Sequence, residues 1–136
     1  HVNRFAAGLQ ALGVQKGDRV ALMMPNCPQF VIAYFGVLRA GAIVTATSSM
    51  YTAREAGHQW HDAGAKIVIA DRRLLPVAQA TVPQVPSLQN VVLTGMREYF
   101  PKHLGRLNAL LESSAAATSS GVHGKVKNSR SRRWTS

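Results

Sequence analysis

Arg19-Val20-Ala21-Leu22-Met23-Met24-Pro25-Asn26-Cys27-Pro28, an apolar run over 30–38, and then Gly41-Ala42-Ile43-Val44-Thr45-Ala46 are the segments whose reading decides the fold. The first six residues are short, apolar and β-branched enough for a buried strand, and Pro25 stops it because proline has no amide hydrogen for a ladder. Asn26 is the expected N-cap of the following helix, with Pro28 in its first turn, where a missing N–H costs nothing. Phe30, Val31, Ala33, Tyr34, Phe35, Val37 and Leu38 are too many apolar positions for one stripe, so this helix is expected to be covered on more than one side. Gly41 ends it, and 42–46 reads as a second strand.

The same grammar continues outward. Val2, Phe5, Ala6, Leu9 and Leu12 keep helical spacing from the second residue, so the chain is expected to begin inside a helix, one closed by Gly13 with Val14 folding back on Leu9. Thr52-Ala53-Arg54-Glu55 is a capping box opening a third helix that turns Ala53, Ala56, Trp60 and Ala63 inward and ends at Gly64. Lys66-Ile67-Val68-Ile69-Ala70 is a third strand, 74–80 a short helix and 91–94 a fourth strand. Helices alternating with short apolar strands predict an α/β fold, a mostly parallel sheet with helices on both faces.

Charge and cysteine content narrow the function classes. The chain has 136 residues, is 46% hydrophobic and carries a formal charge of +10. Residues 1–112 hold 11 Lys/Arg against 6 Asp/Glu, whereas 113–136 hold 5 Lys/Arg and no acid. Two units follow: an α/β subdomain over 1–112, its last helix carrying Leu104, Leu107, Leu110 and Leu111, and a disordered, basic, Ser-rich tail over 113–136. Cys27 is the only cysteine, which excludes an intrachain disulfide and a Cys-based zinc site and fits a reducing, cytoplasmic setting. Its reading is an ordinary turn or buried cysteine. Residues 30–47 are nearly long enough to span a bilayer, but Arg39 at the centre would cost about 2.5–3.5 kcal/mol and Gly41 follows, so no transmembrane segment is expected.

In order along the chain, Leu12-Gly13-Val14, Gly17-Asp18-Arg19-Val20-Ala21, Met24-Pro25-Asn26-Cys27-Pro28-Gln29-Phe30, Leu38-Arg39-Ala40-Gly41-Ala42 and Tyr51-Thr52-Ala53-Arg54-Glu55 resemble the opening of the adenylate-forming acyl-CoA synthetases. Gly95-Met96-Arg97-Glu98 followed by Tyr99-Phe100-Pro101 is similar to a pattern of bacterial long-chain fatty-acid–CoA ligases. Ser48-Ser49-Met50 and Gly57 depart from the family pattern, which often has Asn-Pro-Leu and Leu there. The resemblance implies a partial N-terminal subdomain of an enzyme that activates a fatty acid with ATP and Mg²⁺ to an acyl-adenylate and passes the acyl group to coenzyme A. It also implies that the phosphate loop, adenine platform, ribose-binding Asp and C-terminal Lys lie outside this chain, which is expected to be a fragment, inactive alone.

No residue is therefore assigned a catalytic, cofactor-binding or metal-binding role. Ser119-Ser120-Gly121-Val122-His123-Gly124-Lys125-Val126-Lys127 imitates the phosphate loop, but Val122 and His123 replace its hydroxyl residues. The pairs Gly8/Gly13 and Gly36/Gly41 have phosphate-loop spacing without a following Lys-Ser/Thr, and read as helix caps. Glu55, His58 and His61 suggest a metal triad, yet on a helix Glu55 and His61 stand about 120° apart. Arg72-Arg73 reads as a solvated charge pair.

Two functions from different classes follow. The first is a fatty acyl-CoA synthetase fragment. The second is a noncatalytic α/β interaction module whose basic tail binds nucleic acid or an anionic surface; no sequence-specific nucleic acid is expected, and peripheral membrane contact stays open. The abrupt change after Glu112 is expected to mark a frameshift or misplaced gene end.

Overall fold

The computed structural model describes residues 1–95. The expected boundary at 112, the Leu-rich helix, the tail and the phosphate-loop mimic lie outside the described residues. Within them, α1 (Val2–Ala11), β1 (Arg19–Met23), α2 (Pro28–Arg39), β2 (Ile43–Thr47), α3 (Ala53–Ala63), β3 (Ala65–Asp71), α4 (Leu75–Thr81) and β4 (Asn90–Thr94) follow one another, with 3₁₀ turns at Arg72–Leu74 and Val82–Gln84. The sheet order is β2-β1-β3-β4 and every pairing is parallel.

Strand periodicity splits the core in two. Val20 and Leu22 of β1 and Ile67 and Ile69 of β3 pack with Ala6 and Leu9 of α1 and Ala33 and Val37 of α2. Ala21, Met23, Val68 and Ala70 point the other way, against Ala56 and Trp60 of α3 and Ala78 of α4. This is the expected α/β arrangement with helices on both faces. Ala65 breaks the alternation because the β1–β3 register steps from Arg19↔Ala65 to Val20↔Ile67, leaving Lys66 as an extra residue. The bulge frees Lys66 to donate from Nζ to the Gly13 carbonyl at 2.7 Å and to Asp18 Oδ2 at 2.6 Å.

Two helices end in the same way. Gly13 (φ 87°) and Gly41 (φ 79°) adopt the left-handed conformation that a β-carbon disfavours. In each case the next two amides close back on the helix: Gly13 N–H to Gln10 O and Val14 N–H to Leu9 O, then Gly41 N–H to Leu38 O and Ala42 N–H to Val37 O. The capping box at α3 is formed as the sequence predicts, Thr52 Oγ1 accepting from Glu55 N–H and Glu55 Oε2 accepting from Thr52 N–H at 2.8 Å. At the other end of α3, Arg19 donates to the Ala63 and Gly64 carbonyls, satisfying acceptors that the helix itself leaves open.

Two local expectations are corrected. Cys27, not Asn26, is the N-cap of α2, because Pro28 occupies the first helical position and holds the residue before it extended, at φ −150° and ψ 165°. Its carbonyl takes the first helical bonds, from Phe30 and Val31. Second, α2 is covered on one side only among the described residues. Ala33, Gly36 and Val37 are buried, while Val31, Tyr34, Phe35 and Leu38 are exposed. No helix among the described residues is long and apolar enough to cross a membrane.

Candidate functional site

In an open parallel sheet, ligands gather beyond the carboxyl ends of the strands where the strand order reverses. Here that point lies between β1 and β3, since the chain leaves β1 toward β2 and returns to the opposite side of β1 as β3. The segments after the strands meet there in a cleft of about 310 Å³, lined by Pro25, Ser49, Arg73 and Leu74.

The charged part of this edge is a fixed pair. Asp71 ends β3 and is 3% exposed. Its Oδ1 accepts from the Arg73 backbone N–H and from Arg73 Nε, both at 2.9 Å, and its Oδ2 accepts from Arg73 Nη2 at 3.1 Å. Burial alone would raise the Asp71 pKa, but the hydrogen bonds and charge of Arg73 outweigh it and hold the carboxyl below its ordinary range. The same contacts hold Arg73 more firmly protonated. Asp71 thus opens the following 3₁₀ turn as its N-cap while fixing the guanidinium that faces the cleft.

Gln29 stands nearby, in the first turn of α2. It is 6% exposed, donates from Nε2 to the Gly95 carbonyl at 3.0 Å just beyond β4, and has no protein partner for Oε1. Cys27 is half-buried at the start of the same helix. The edge as a whole offers a guanidinium, a serine hydroxyl and apolar walls. That donor set suits positioning a group; the Asp71 carboxylate is occupied on both oxygens by Arg73, which leaves it no lone pair suited to taking a proton from a substrate.

The residues weighed from the sequence fall elsewhere. Glu55 serves the α3 cap, and Thr52 N–H holds its pKa down. His58 Nε2 lies 3.5 Å and His61 Nδ1 3.7 Å from the carboxylate of Asp62, all on the exposed side of α3. Gly8 lies inside α1 and Gly36 inside α2, so both glycine pairs belong to helices and their caps rather than to a phosphate cradle. Arg72-Arg73 is corrected: Arg73 is locked to a buried carboxylate, not simply solvated. An Asp at a strand end with Arg two residues later was the available signal, since an aspartate commonly bonds the amide two residues on. Gln29 gave none.

A family model described as "AMP-binding enzyme" matches residues 1–120. The long-chain-fatty-acid–CoA ligase of Bacillus subtilis (strain 168) is 43% identical over 103 residues, 74% of this chain and 18% of the ligase. The ligase of the same name from Salmonella typhimurium is 48% identical over 93 residues, 68% of this chain and 16% of the ligase. Among solved structures, a Mycobacterium tuberculosis fatty acyl CoA synthetase superposes with a TM-score of 0.65 at 33% identity, covering 68% of this chain and 19% of that one. An anthranilate CoA ligase in complex with anthranoyl-AMP gives 0.66 at 25% identity, covering 68% and 18%. The chain spans less than a fifth of the length of these ligases and synthetases. With the parallel sheet order, the capping residues and these matches in agreement, the chain belongs to the AMP-binding enzyme family.

Proposed function

We propose that this chain is the N-terminal portion of a fatty acyl-CoA synthetase, a cytoplasmic enzyme that couples ATP cleavage to formation of a fatty acyl-adenylate and then to thioester formation with coenzyme A. The observation that carries the reading is the 43–48% identity to bacterial long-chain-fatty-acid–CoA ligases. In the whole enzyme, ATP with Mg²⁺ supplies the activating phosphoanhydride and the metal its charge neutralisation.

The described residues do not fit that group. A triphosphate with its metal needs several converging N–H or cationic donors and a free carboxylate. The cleft offers one guanidinium already shared with Asp71, and that carboxylate is occupied. No step of the reaction is therefore derived through these residues. Their part is to build the sheet and fix its carboxyl edge, and the chain alone is expected to make no acyl-adenylate.

A replacement experiment tests the reading. Residues 1–95 are exchanged for the matching segment of a bacterial long-chain-fatty-acid–CoA ligase, and acyl-CoA formation from palmitate is followed. Retained ligation is expected; a soluble, folded chimera that ligates an aromatic acid but no fatty acid overturns the fatty-acid assignment. Incubating the purified chain with ATP and palmitate tests inactivity, and acyl-AMP above a heat-killed control would refute it.

A further inference from the structure

α2 is apolar on two opposite faces. At 100° per residue, Ala33, Gly36, Val37 and Ala40 occupy an arc of about 100° turned to the core, and Val31, Tyr34, Phe35 and Leu38 an equal arc on the far side. The far stripe is exposed by 53%, 37%, 53% and 47% in that order. Exposed single apolar residues are ordinary, but four at i, i+3, i+4 and i+7 form a continuous seam suited to a second helix.

The chain itself supplies a matching seam. Leu104, Leu107, Leu110 and Leu111 recur within an arc of about 120° on a helical projection and extend over the same eight-residue length as the α2 stripe. The chain also leaves the described body at the right place, because the Gly95 carbonyl is held by Gln29 in the first turn of α2. The eight residues between Gly95 and Leu104 reach up to about 30 Å, and α2 is about 18 Å long. The buried, unpaired Gln29 Oε1 marks the same end of α2 as a place built to receive a further backbone donor. We propose that the outer face of α2 is the docking surface for residues 104–111 of this same chain, laid on it as a helix, leucine stripe to Val31, Tyr34, Phe35 and Leu38. This inference concerns an interface within the chain and does not depend on the substrate proposed above.

Cross-linking in the full chain tests it. In a Cys27→Ser background, Phe35→Cys is paired with Leu107→Cys, with Gln10→Cys on the exposed side of α1 as a control partner for Leu107→Cys. Oxidation is expected to close an intrachain disulfide with Phe35→Cys and not with the control. Cross-links joining two chains through Phe35→Cys would instead assign the seam to a second copy, and equal yields from both pairs would mean no preferred docking; either result overturns the proposal. A second readout avoids cysteines. Leu107→Asp with Leu111→Asp should raise anilinonaphthalene sulfonate binding several-fold and speed amide exchange across α2. Unchanged dye binding and exchange in a chain whose circular dichroism is intact would overturn it as well.

Discussion

A paired glycine substitution measures how tightly α1 and α2 meet. Gly8 and Gly36 are both interior helical residues, so replacing either by Ala gains up to about 1 kcal/mol from helix propensity. Their surroundings differ. A β-carbon on Gly8 meets nothing within 4 Å, whereas one on Gly36 falls 2.5 Å from Cδ1, 3.2 Å from Cγ and 3.3 Å from Cβ of Phe5. Three contacts along one ring and its stem cannot all be relieved by turning the side chain, so α1 has to move or Phe5 has to leave its rotamer. Overpacking of that kind costs roughly 1–3 kcal/mol. Gly8→Ala should therefore stabilise by up to about 1 kcal/mol, and Gly36→Ala should be neutral or destabilise by up to about 2 kcal/mol. The difference between the two isolates the clash, because the propensity gain cancels. For a body of this size each 1 kcal/mol corresponds to about 4–8 °C in Tm, well within the resolution of urea and thermal unfolding followed by circular dichroism. Phe5→Leu in the Gly36→Ala background should recover part of the loss as a favourable coupling energy. Equal stabilisation by both alanines, or no coupling with Phe5, would refute the close approach.

Thr52→Ala removes the hydroxyl of the capping box and should cost about 1 kcal/mol in urea unfolding, with helix content lost mainly from α3. Trp60 is fully buried and its indole N–H donates to Thr47 Oγ1 at 2.9 Å, so the near-isosteric Thr47→Val should cost about 1–3 kcal/mol by leaving that donor unpaired. A loss no larger in Thr47→Val than in Thr45→Val would contradict this. Stability should also fall on the acid side. The Asp18 carboxyl is held below its ordinary pKa first by the hydrogen bond from Lys66 and then by the Gln15 N–H, and Asp71 is lowered as well. With folded pKa values below unfolded ones, the folded state binds fewer protons, so this stability is complete above the ordinary carboxylate range and drains as pH falls below about 4. Asp18→Asn should flatten the curve of urea midpoint against pH in that window, and an unchanged slope would show that the Lys66 contact is not coupled to folding.

Much of the architecture was legible because local signals agreed with one another. The two glycine closures at Gly13 and Gly41, the capping box at Thr52 and the alternation of short apolar strands with helices each demand a backbone geometry whatever lies around them. The misreadings were tertiary. Asn26 is the better capping side chain by chemistry, but Pro28 fixes where the helix begins and so makes Cys27 the cap. The extra residue at Lys66 follows from how β3 registers against β1, which no periodicity within β3 announces. Gln29 reaches across 66 residues of sequence to Gly95, a contact that local pattern cannot foresee. The double apolar character of α2 was readable from its composition; that only one side of it is covered was not.

The residues that make the family recognisable in this stretch have structural work. Gly13 and Gly41 close helices; Asp18 accepts from Gln15 and Lys66; Arg19 holds the last carbonyls of α3; Pro28 starts α2; Thr52 and Glu55 cap α3. Side chains that satisfy orphan backbone groups are constrained by helix and sheet geometry, and that geometry is shared by ligases whose acids differ, as the fatty acyl and anthranilate structures both superpose on this body. A strong family match over such residues therefore carries information about the scaffold and little about the substrate. Chemistry can vary beyond the carboxyl edge of the sheet while every one of these caps stays in place. The substrate assignment accordingly has to be tested by exchanging this body into a working ligase, since no single substitution among its capping residues can separate a loss of fold from a change of acid.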